Sequence, residues 1–322
     1  MRQPEFWNGR DGAARLALAA LAPLSWAYGA SVAWKHSHAR PYRAHARVIC
    51  VGNLTAGGTG KTPIVIALAR ALAERGRCPF ILSRGYGGRT RGPVLVDAAQ
   101  DTAREIGDEP LLLARAAPVV VARDRAAGAA FADAHDAEFI VMDDGHQNFD
   151  LAKDLSLVVA DAETGFGNGR VLPAGPLREP VAQGLARADA VVLVGDGTPD
   201  LKGFAGPVLR ARLVPVDVVG LAGKDAVAFA GIGRPDKFFA TLRGLGAKLV
   251  ETIAFPDHHA FSASDIARLK AKARGALLVT TEKDFVRLTP QERDGVNFLP
   301  VRAAFDDPAA FARLLDSVAP AR

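Results

Sequence analysis

The segment of the chain best suited to chemistry is the glycine-rich run from Thr55 to Thr62, which follows a short apolar stretch. Glycines let a backbone wrap tightly, so that its N–H groups point at phosphate oxygens, and the helix that follows adds its positive end. In this pattern Lys61 reaches the β- and γ-phosphates, and the Thr62 hydroxyl can hold Mg²⁺. Thr55 stands where the pattern has its first glycine, so we expect Gly57 and Gly58 to supply the turn. The predicted ATP-binding residues are Thr55, Ala56, Gly57, Gly58, Thr59, Gly60, Lys61 and Thr62.

Two adjacent acids, Asp143 and Asp144, end the apolar run Phe139–Met142. A carboxylate at the end of a strand beside a phosphate-binding loop holds Mg²⁺ directly or through water. Neighbouring side chains on an extended strand point to opposite faces, so the acids take different roles unless the chain has already turned at Gly145. We place both acids at a magnesium site with Thr62 and leave open which one contacts the ion.

Three more side chains suit a ligand that carries phosphate and sugar groups. Arg178 follows a loop rich in Pro and Gly, and its planar guanidinium can bind a phosphate of the acceptor or the γ-phosphate. A salt bridge within the loop is the alternative. Arg84 begins another Gly-rich segment, whose glycines let a ligand approach the backbone closely. Tyr86, in the same segment, can stack on a sugar.

Two other positions have a structural explanation as well as a chemical one. Asp108 precedes Glu109, Pro110 and an apolar run, a pattern typical of a helix start where a carboxylate caps the first turn. His258 and His259 could be metal ligands, but neither a cysteine nor a third histidine lies nearby in the sequence. A structural turn is the commoner role for such a pair.

The scaffold for these residues is predicted from the alternation of short apolar runs and helical stretches after residue 45. Continuous runs rich in Val and Ile are typical of parallel strands buried on both faces. The rhythm predicts an α/β fold with a P-loop NTPase-type, doubly wound, mostly parallel sheet. The predicted strands are Arg47–Gly52, Phe80–Ser83, Val94–Asp97, Val119–Ala122, Phe139–Met142, Leu157–Ala160 and Ala190–Val194.

The rhythm changes between residues 206 and 220, where apolar and basic residues alternate as in an exposed, antiparallel ribbon. A second α/β unit follows, so we expect a core over 46–205, a β-ribbon linker over 206–220 and a smaller C-terminal α/β domain over 221–322. Its predicted strands are Val227–Ala230, Lys248–Thr252, Leu277–Thr280 and Phe298–Val301.

The first 45 residues have a different character from the rest of the chain. All three tryptophans lie there, and Leu16–Trp34 holds no charged residue. Seven basic and two acidic side chains in residues 1–47 account for the whole net charge of +5. A signal peptide, a membrane-spanning helix, an interfacial helix and a helix packed on the protein's own core are the alternatives. Trp and flanking Lys and Arg favour a membrane-associating interfacial helix, and export would separate the phosphate-binding loop from ATP.

Composition excludes several classes of protein. Charge outside the N-terminal segment is balanced, which disfavours a nucleic-acid partner. The two cysteines, Cys50 and Cys78, both lie in apolar runs, so we expect buried thiols in a reducing compartment, without a disulfide scaffold or metal site.

An ordered set of motifs resembles one family, the tetraacyldisaccharide 4′-kinases of lipid A biosynthesis. The resemblance covers nearly the whole chain, including the basic N-terminus that contains the tryptophans. Beside the run from Val51 to Pro63, the matching segments are Leu82-Ser83-Arg84-Gly85-Tyr86-Gly87, Gly107-Asp108-Glu109-Pro110, Asp143-Asp144-Gly145-His146-Gln147, the run from Leu172 to Glu179, Phe255-Pro256-Asp257-His258-His259 and Thr281-Glu282-Lys283-Asp284. Many members are expected to have Phe where this chain has His146, so we assign His146 no catalytic role.

The resemblance implies transfer of phosphate from ATP, with Mg²⁺, to the 4′-hydroxyl of a tetraacylated disaccharide 1-phosphate. It also implies attachment to the cytoplasmic face of the bacterial inner membrane, either peripherally or by one N-terminal helix, with no obligatory protein partner. By resemblance Asp108 is the general base, acting by orientation or with a raised pKa, and His258 holds it in place. The site residues expected on this basis are Asp108, His258, Lys61, Arg178 and Glu179 for catalysis, Thr62, Asp143, Asp144 and Glu109 for the metal, and Arg84, Tyr86 and Gln147 for the substrate.

Two other functions stay open at this stage. A P-loop ATPase or GTPase that switches a membrane complex needs, for GTP, a guanine-binding motif, and Thr281-Glu282-Lys283-Asp284 does not match that motif. A soluble small-molecule kinase has no use for the N-terminal segment with its Trp and Arg side chains.

Overall fold

The computed structural model of the chain describes residues 4–7, 9, 11–216 and 219–318, and its helices and strands lie within those ranges. The strands are β1 (Arg47–Gly52), β2 (Pro79–Ser83), β3 (Val94–Leu95), β4 (Val119–Val121), β5 (Phe139–Asp143), β6 (Leu155–Asp161), β7 (Ala190–Val194), β8 (Val208–Pro215), β9 (Asp225–Ala230), β10 (Lys248–Ala254), β11 (Leu277–Thr281), β12 (Val296–Leu299) and β13 (Val301–Phe305). The helices are α1 (Gly12–His38), α2 (Lys61–Glu74), α3 (Ala103–Ile106), α4 (Asp108–Leu113), α5 (Arg125–Asp133), α6 (Val181–Leu185), α7 (Pro235–Gly244), α8 (Ala263–Lys272), α9 (Glu282–Phe285), α10 (Pro290–Arg293) and α11 (Pro308–Asp316), with a 3-10 turn at Glu5–Trp7.

The large sheet has nine strands in the described residues, in the order β13-β8-β7-β6-β1-β5-β2-β4-β3. All neighbouring pairs from β8 to β4 are parallel, and the two edge strands β13 and β3 are antiparallel to their neighbours. The predicted doubly wound, mostly parallel sheet is therefore confirmed. The central strand β1 lies between β5 and β6, with Val51 opposite Asp143, so the carboxyl ends of these strands meet at one edge.

Helix α2 is fixed on the large sheet by its apolar face. Ile64, Val65, Leu68, Ala69 and Leu72 are all buried there, at the spacing of one helical face. A fully buried Leu or Ile contributes about 1.5–3 kcal/mol, so this face anchors the helix firmly. The first turn of α2 is thereby held at the carboxyl edge of the sheet, directly after the glycine-rich loop.

The small sheet has the order β10-β9-β11-β12, with every pair parallel. Its two faces are covered by α7 and α8, whose buried residues include Phe239 and Leu242 on one side and Ile266 and Leu269 on the other. This unit agrees with the smaller C-terminal α/β domain expected from the sequence.

The chain returns from the small sheet to the large one, which the sequence analysis did not anticipate. The predicted single strand Phe298–Val301 is wrong, because β12 and β13 are separate strands that belong to different sheets. Pro300 lies between them, and a proline has no N–H with which to continue a ladder. The predicted linker ribbon is part of the large sheet, since β8 pairs with β7 on one side and with β13 on the other. The residue limits of the domains stay a prediction.

Helix α1 is long and apolar enough to span a membrane, yet only 17% of its most apolar window is buried against the protein. Asp11 caps its start by accepting a hydrogen bond from the N–H of Ala14. Its buried residues are Ala14, Ser25 and Gly29, so one narrow face contacts the protein. The other faces carry exposed Trp and Leu side chains.

The cysteine prediction is half right. Cys50 is buried in β1, whereas Cys78 is exposed. Cys78 comes directly before β2 begins, at the rim of the sheet, so the apolar run that follows it does not enclose it.

Candidate active site

The glycine-rich loop forms an open cradle between β1 and α2. Gly60, the residue before α2, has a left-handed backbone (φ 85°), and no side chain caps the first turn of the helix. A Cβ atom added at Gly57 or Gly58 would meet nothing within 4 Å. The first N–H groups of α2 and the concave side of the loop can therefore receive an anion.

Asn53 holds the cradle in shape, a role that sequence reasoning did not assign. It is buried, and its side-chain amide donates to the backbone oxygen of Thr55 at 2.7 Å and to Oγ1 of Thr59 at 3.3 Å. The Oδ1 atom of Asn53 is buried and has no hydrogen-bond partner among the residues that the structure describes. The residue stands inside the Val51–Pro63 motif, so its position was a usable signal.

A second loop, from Leu172 to Glu179, lies beside the glycine-rich loop. The N–H of Ala56 donates to the backbone oxygen of Pro176 at 2.7 Å, and the N–H of Arg178 donates to that of Leu54 at 2.8 Å. These two bonds attach the second loop to both ends of the turn that follows β1. They fix where the Arg178 side chain leaves the backbone.

Asp144 brings together Lys61 and Arg178. One of its carboxylate oxygens accepts a hydrogen bond from Nη1 of Arg178 at 2.8 Å and lies 3.6 Å from Nζ of Lys61. Burial alone would raise the pKa of Asp144, but the positive charges of Lys61 and Arg178 outweigh burial and lower it. The structure thus gathers these three predicted site residues at the carboxyl end of β5.

Asp143 occupies a different environment from Asp144. The chain turns at Asp144 itself, whose backbone is left-handed (φ 50°), so the turn comes one residue before Gly145. Asp143 is buried, and burial, reinforced by the charges of Glu109 and Asp144, raises its pKa to about 7. Arg125, also buried, donates from Nη2 to the backbone oxygen of Asp143 at 2.9 Å.

Gln147 and Glu179 support the loop that carries Arg178. Glu179 is buried; it accepts a 2.6 Å bond from Arg187 and a 2.9 Å bond from the Gln147 amide. The same amide donates to the backbone oxygen of Asn53 at 2.9 Å. Through Gln147, Glu179 connects the Arg178 loop to the residue that precedes the cradle, and its catalytic role stays a prediction.

His146, to which we assign no catalytic role, is buried inside the protein. Its ring nitrogens lie 3.1 Å from Oγ of Ser156 and 2.9 Å from the backbone oxygen of Gly184. Burial, reinforced by the nearby Lys153, lowers the pKa of His146 to about 4. The ring is neutral at physiological pH and packs tightly on β1, where a Cβ at Gly52 would lie 2.4 Å from the His146 Cβ.

Asp108 connects the two sheets. It lies in the first turn of α4, and its Oδ2 is 3.2 Å from Nδ1 of His258, which belongs to the small-sheet unit. Arg287 and Lys283, from the same unit, are 2.5 Å and 3.9 Å from that oxygen. The predicted pairing of Asp108 with His258 is present in the geometry, and Arg287 and Lys283 are partners that sequence reasoning missed. Lys283 stands within the matched Thr281–Asp284 motif, and Arg287 follows one helical turn after it.

Arg84 and Tyr86 lie at the open side of this cluster. Both side chains are exposed, and the Tyr86 ring centre is 6.2 Å from that of His258 in an edge-on arrangement. Their turn approaches α4 closely, because a Cβ at Gly107 would lie 2.6 Å from the backbone oxygen of Tyr86. These side chains are therefore available to a ligand that contacts Asp108.

The described residues contain no group of three or more His, Cys, Asp or Glu side chains arranged to hold a metal ion by themselves. Mg²⁺ does not require one, since it is commonly held by one or two carboxylates together with phosphate oxygens and water. Thr62 at the start of α2 and the acids at the end of β5 provide that partial donor set, so the residues present fit Mg²⁺ delivered with a nucleotide.

A parallel sheet with a glycine-lined anion cradle after its central strand, a lysine in that cradle and acids on the adjacent strand define a P-loop protein of the nucleoside-triphosphate-using class.

The comparisons with known proteins narrow this class to one family. The model of the tetraacyldisaccharide-1-P 4′-kinase family matches residues 17–319. Relatives named tetraacyldisaccharide 4′-kinase from Rhodospirillum centenum and Gluconacetobacter diazotrophicus are each 53% identical, over 98% of this chain and 96% and 98% of their own lengths. The crystal structure of LpxK from Aquifex aeolicus in complex with ATP has a TM-score of 0.78 at 28% identity, and covers 94% of this chain and 99% of that one. The chain belongs to the tetraacyldisaccharide-1-P 4′-kinase family.

Proposed function

We propose that the protein transfers the γ-phosphoryl group of ATP to the 4′-hydroxyl of a tetraacyldisaccharide 1-phosphate and so produces lipid IVA in lipid A biosynthesis. The observation that carries this proposal is that α4 presents Asp108 beside the nucleotide cradle. Leu111 and Leu113 of α4 belong to the same buried cluster as Ile64 and Val65 of α2, the helix whose first turn closes the cradle. A hydroxyl bound against Asp108 is then next to the phosphates that Lys61 binds.

The transfer moves one phosphoryl group and one proton. The acceptor oxygen forms a bond to the γ-phosphorus while the bond from that phosphorus to the bridging oxygen breaks, and ADP leaves. The hydroxyl proton passes to Asp108. Burial alone would raise the pKa of this carboxyl, but His258, Lys283 and Arg287 outweigh it and hold the pKa well below its usual range. Asp108 therefore acts by accepting a hydrogen bond and orienting the hydroxyl, and it takes up the proton late in the transfer.

Lys61 and Arg178 supply the positive charge that this reaction needs. Lys61 binds the β- and γ-phosphates, and Arg178 neutralises charge that develops on the transferred group. Thr62, one of Asp143 and Asp144 and, on the side of α4, Glu109 would hold Mg²⁺, which would supply further positive charge when bound with ATP. Glu179 and Gln147 hold the loop of Arg178 in a fixed position beside the cradle.

Helix α1 positions the enzyme at the cytoplasmic face of the inner membrane. Its exposed side includes Trp26 (77% exposed) and Trp34 (62% exposed), with Leu16 and Leu24 also outward. Trp at headgroup depth and aliphatic side chains below it are typical of an interfacial helix. An acceptor with four acyl chains stays in the bilayer, so the cleft must meet it there.

A groove of about 330 Å³ lies between α1 and the segment 170–183. Ala22, Trp26 and Ala30 line it on one side, and Val171 and Pro180 line it on the other. The second loop that carries Arg178 begins at this groove. An acyl chain that enters from the membrane would meet a mostly apolar surface, to which Ala174 of that loop contributes.

ATP consumption measured with and without a tetraacyldisaccharide 1-phosphate tests the proposed activity. The kinase consumes ATP in proportion to lipid phosphorylated. A switch ATPase would consume ATP equally in both cases, and a soluble small-molecule kinase would phosphorylate no lipid; either result would remove the proposal.

A further inference from the structure

Arg287 is the most extensively bonded side chain at the contact between the two units. It follows α9, belongs to the small-sheet unit and is only 7% exposed. Its Nε and Nη2 atoms donate to Oδ2 of Asp108 at 2.9 Å and 2.5 Å. Its Nη1 atom donates to Oδ1 of Asp284 at 2.7 Å and to the backbone oxygen of Gly231 at 3.0 Å. All three guanidinium nitrogens are bonded, so the side chain has one orientation.

The support behind Arg287 is itself rigid. Asp284 is fully buried, and it also accepts hydrogen bonds from the N–H of Gly231 at 3.0 Å and from Oγ1 of Thr281 at 2.6 Å. Thr281 in turn caps α9. The guanidinium is thus fixed by the small-sheet unit, and Asp108 of the other unit binds to a preformed fork.

The two carboxylate oxygens of Asp108 differ in how many further hydrogen bonds they can accept. Oδ2 accepts hydrogen bonds from both Nε and Nη2 of Arg287, and Nδ1 of His258 lies 3.2 Å from it. Within the described part of the chain, Oδ1 accepts a hydrogen bond from the N–H of Glu109 alone, at 3.0 Å. A carboxylate oxygen has about two lone-pair positions, so Oδ1 retains one for another donor.

We propose that Arg287 is a positioning residue for phosphoryl transfer: its planar fork binds Oδ2 and turns Oδ1 of Asp108 toward the acceptor hydroxyl. The proposal rests on the proposed function, in which Asp108 receives the proton of the acceptor hydroxyl. Nδ1 of His258 lies 3.2 Å from the same oxygen and 3.4 Å from Nη2 of Arg287, so His258 adds a contact on the Oδ2 side of the carboxylate and leaves Oδ1 clear. Lysine cannot replace the fork, because it donates from a single nitrogen.

Other ion pairs join the two units without contacting Asp108. Arg115 and Glu282 pair at 2.7 Å, and Arg234 and Asp161 pair at 2.7 Å. If Arg287 only held the units together, loss of one of these pairs would resemble loss of Arg287. Arg115 is therefore a matched control: it is an arginine in an ion pair at the same contact, but it lies outside the catalytic cluster.

The test compares R287K, R115K, D108N and the double variant D108N/R287K under steady-state conditions with Mg-ATP and the lipid acceptor. We expect R287K to lower kcat by about 10- to 100-fold, the size of effect that misplacement of a reacting group produces. The KM for ATP should stay within about 2-fold, because Arg287 does not contact the cradle. R115K should keep the wild-type kcat. In the D108N background, the change R287K should lower kcat by less than about 2-fold further, since its effect passes through Asp108.

Three results would overturn the proposal: a wild-type kcat in R287K, the same fold-loss from R287K with and without Asp108, or a loss that R115K reproduces. Thermal unfolding of each variant checks the fold. If R287K unfolds below the assay temperature, Arg287→Met combined with Asp284→Asn, which removes the buried Arg287–Asp284 ion pair as a unit, takes its place. Activity of the wild-type protein on the lipid is measured in parallel, so failure of the proposed function is seen separately.

Discussion

A single carboxylate oxygen of Asp144 pairs with both Lys61 of the cradle and Arg178 of the neighbouring loop, at 3.6 Å and 2.8 Å. The two cations come from segments more than 100 positions apart in the chain. Asp144 thereby sets the distance between Lys61, which we propose binds the phosphates, and Arg178, which we propose faces the transferred group. The left-handed turn at Asp144 aims its side chain at this pair, while Asp143 stays in the strand.

We expect Asp144→Asn to lower kcat/KM for Mg-ATP by about 10²- to 10³-fold, because it removes the negative charge that holds Lys61 and Arg178. Steady-state kinetics at several Mg²⁺ concentrations measure the effect. Asp150→Asn is the control, since Asp150 is exposed and pairs with Asn148 outside the cluster. Equal activity of the two variants would contradict the assignment of Asp144.

His258 and His259 should differ sharply in their effect on turnover. His258 contacts Asp108, whereas Nε2 of His259 lies 3.3 Å from Asp265, away from the cleft. His258→Gly removes the ring without straining the left-handed backbone (φ 58°) at this position. We expect it to lower kcat by about 10- to 100-fold with little change in the KM for ATP, and His259→Ala to keep kcat near wild type. Normal turnover of the His258 variant would remove His258 from the site.

The stability of the fold should fall between pH 6.5 and pH 4 because of His146. Burial lowers its pKa from the ordinary 6.5 to about 4, so in this window the unfolded chain binds a proton that the folded protein does not. The free energy of unfolding is therefore unaffected by His146 above pH 6.5, and His146 lowers it progressively as the pH falls toward 4. The loss between pH 7 and pH 5 is roughly 2 kcal/mol from this residue.

Urea unfolding at the two pH values measures this loss. His146→Phe, which does not titrate, should be less stable at pH 7, because Ser156 and the backbone oxygen of Gly184 lose a partner. It should nevertheless show a smaller drop between pH 7 and pH 5 than the wild type. An equal drop in both proteins would show that His146 does not cause it.

Membrane binding should depend on the exposed face of α1. Trp26→Glu with Trp34→Glu places two charges on that face and should strongly reduce cosedimentation with vesicles that contain anionic lipid. Deletion of residues 1–40 should do the same, although it also removes the hydrogen bond from Nε1 of Trp7 to the backbone oxygen of Pro173. Val250→Glu, at an apolar side chain of the small sheet that is 59% exposed, is the control. Unchanged partitioning of the double variant would refute an interfacial α1.

The large sheet could be predicted from the sequence because its inner strands are buried on both faces and so read as continuous apolar runs. The same reasoning failed at Phe298–Val301, where one apolar run is divided between two sheets at Pro300. A local apolar pattern in the sequence indicates that a strand is buried, but it does not indicate which sheet the strand joins. The return of β13 to β8 is set by pairing between segments about 90 residues apart.

The site was predictable where its chemistry is local to a motif, as in Gly57–Thr62 and the acids that end β5. Arg287 and Arg187 were missed because each acts on a residue brought to it by the fold, and a lone arginine has no local pattern. Glu179 was named from its motif as a catalytic group, but its burial behind Gln147 appears only when the loop is folded. Contacts between the units of the two sheets therefore could not be predicted from the sequence and are seen only in the structure.

The most direct test of the proposed phosphoryl transfer is mass spectrometry of the lipid after incubation with Mg-ATP and tetraacyldisaccharide 1-phosphate, with Lys61→Ala as the control. We predict one added phosphoryl group, located at the 4′ position by fragmentation, and at least about a 10³-fold lower yield with Lys61→Ala. An unmodified lipid, a phosphoryl group at another position, or full yield from the variant would contradict this prediction.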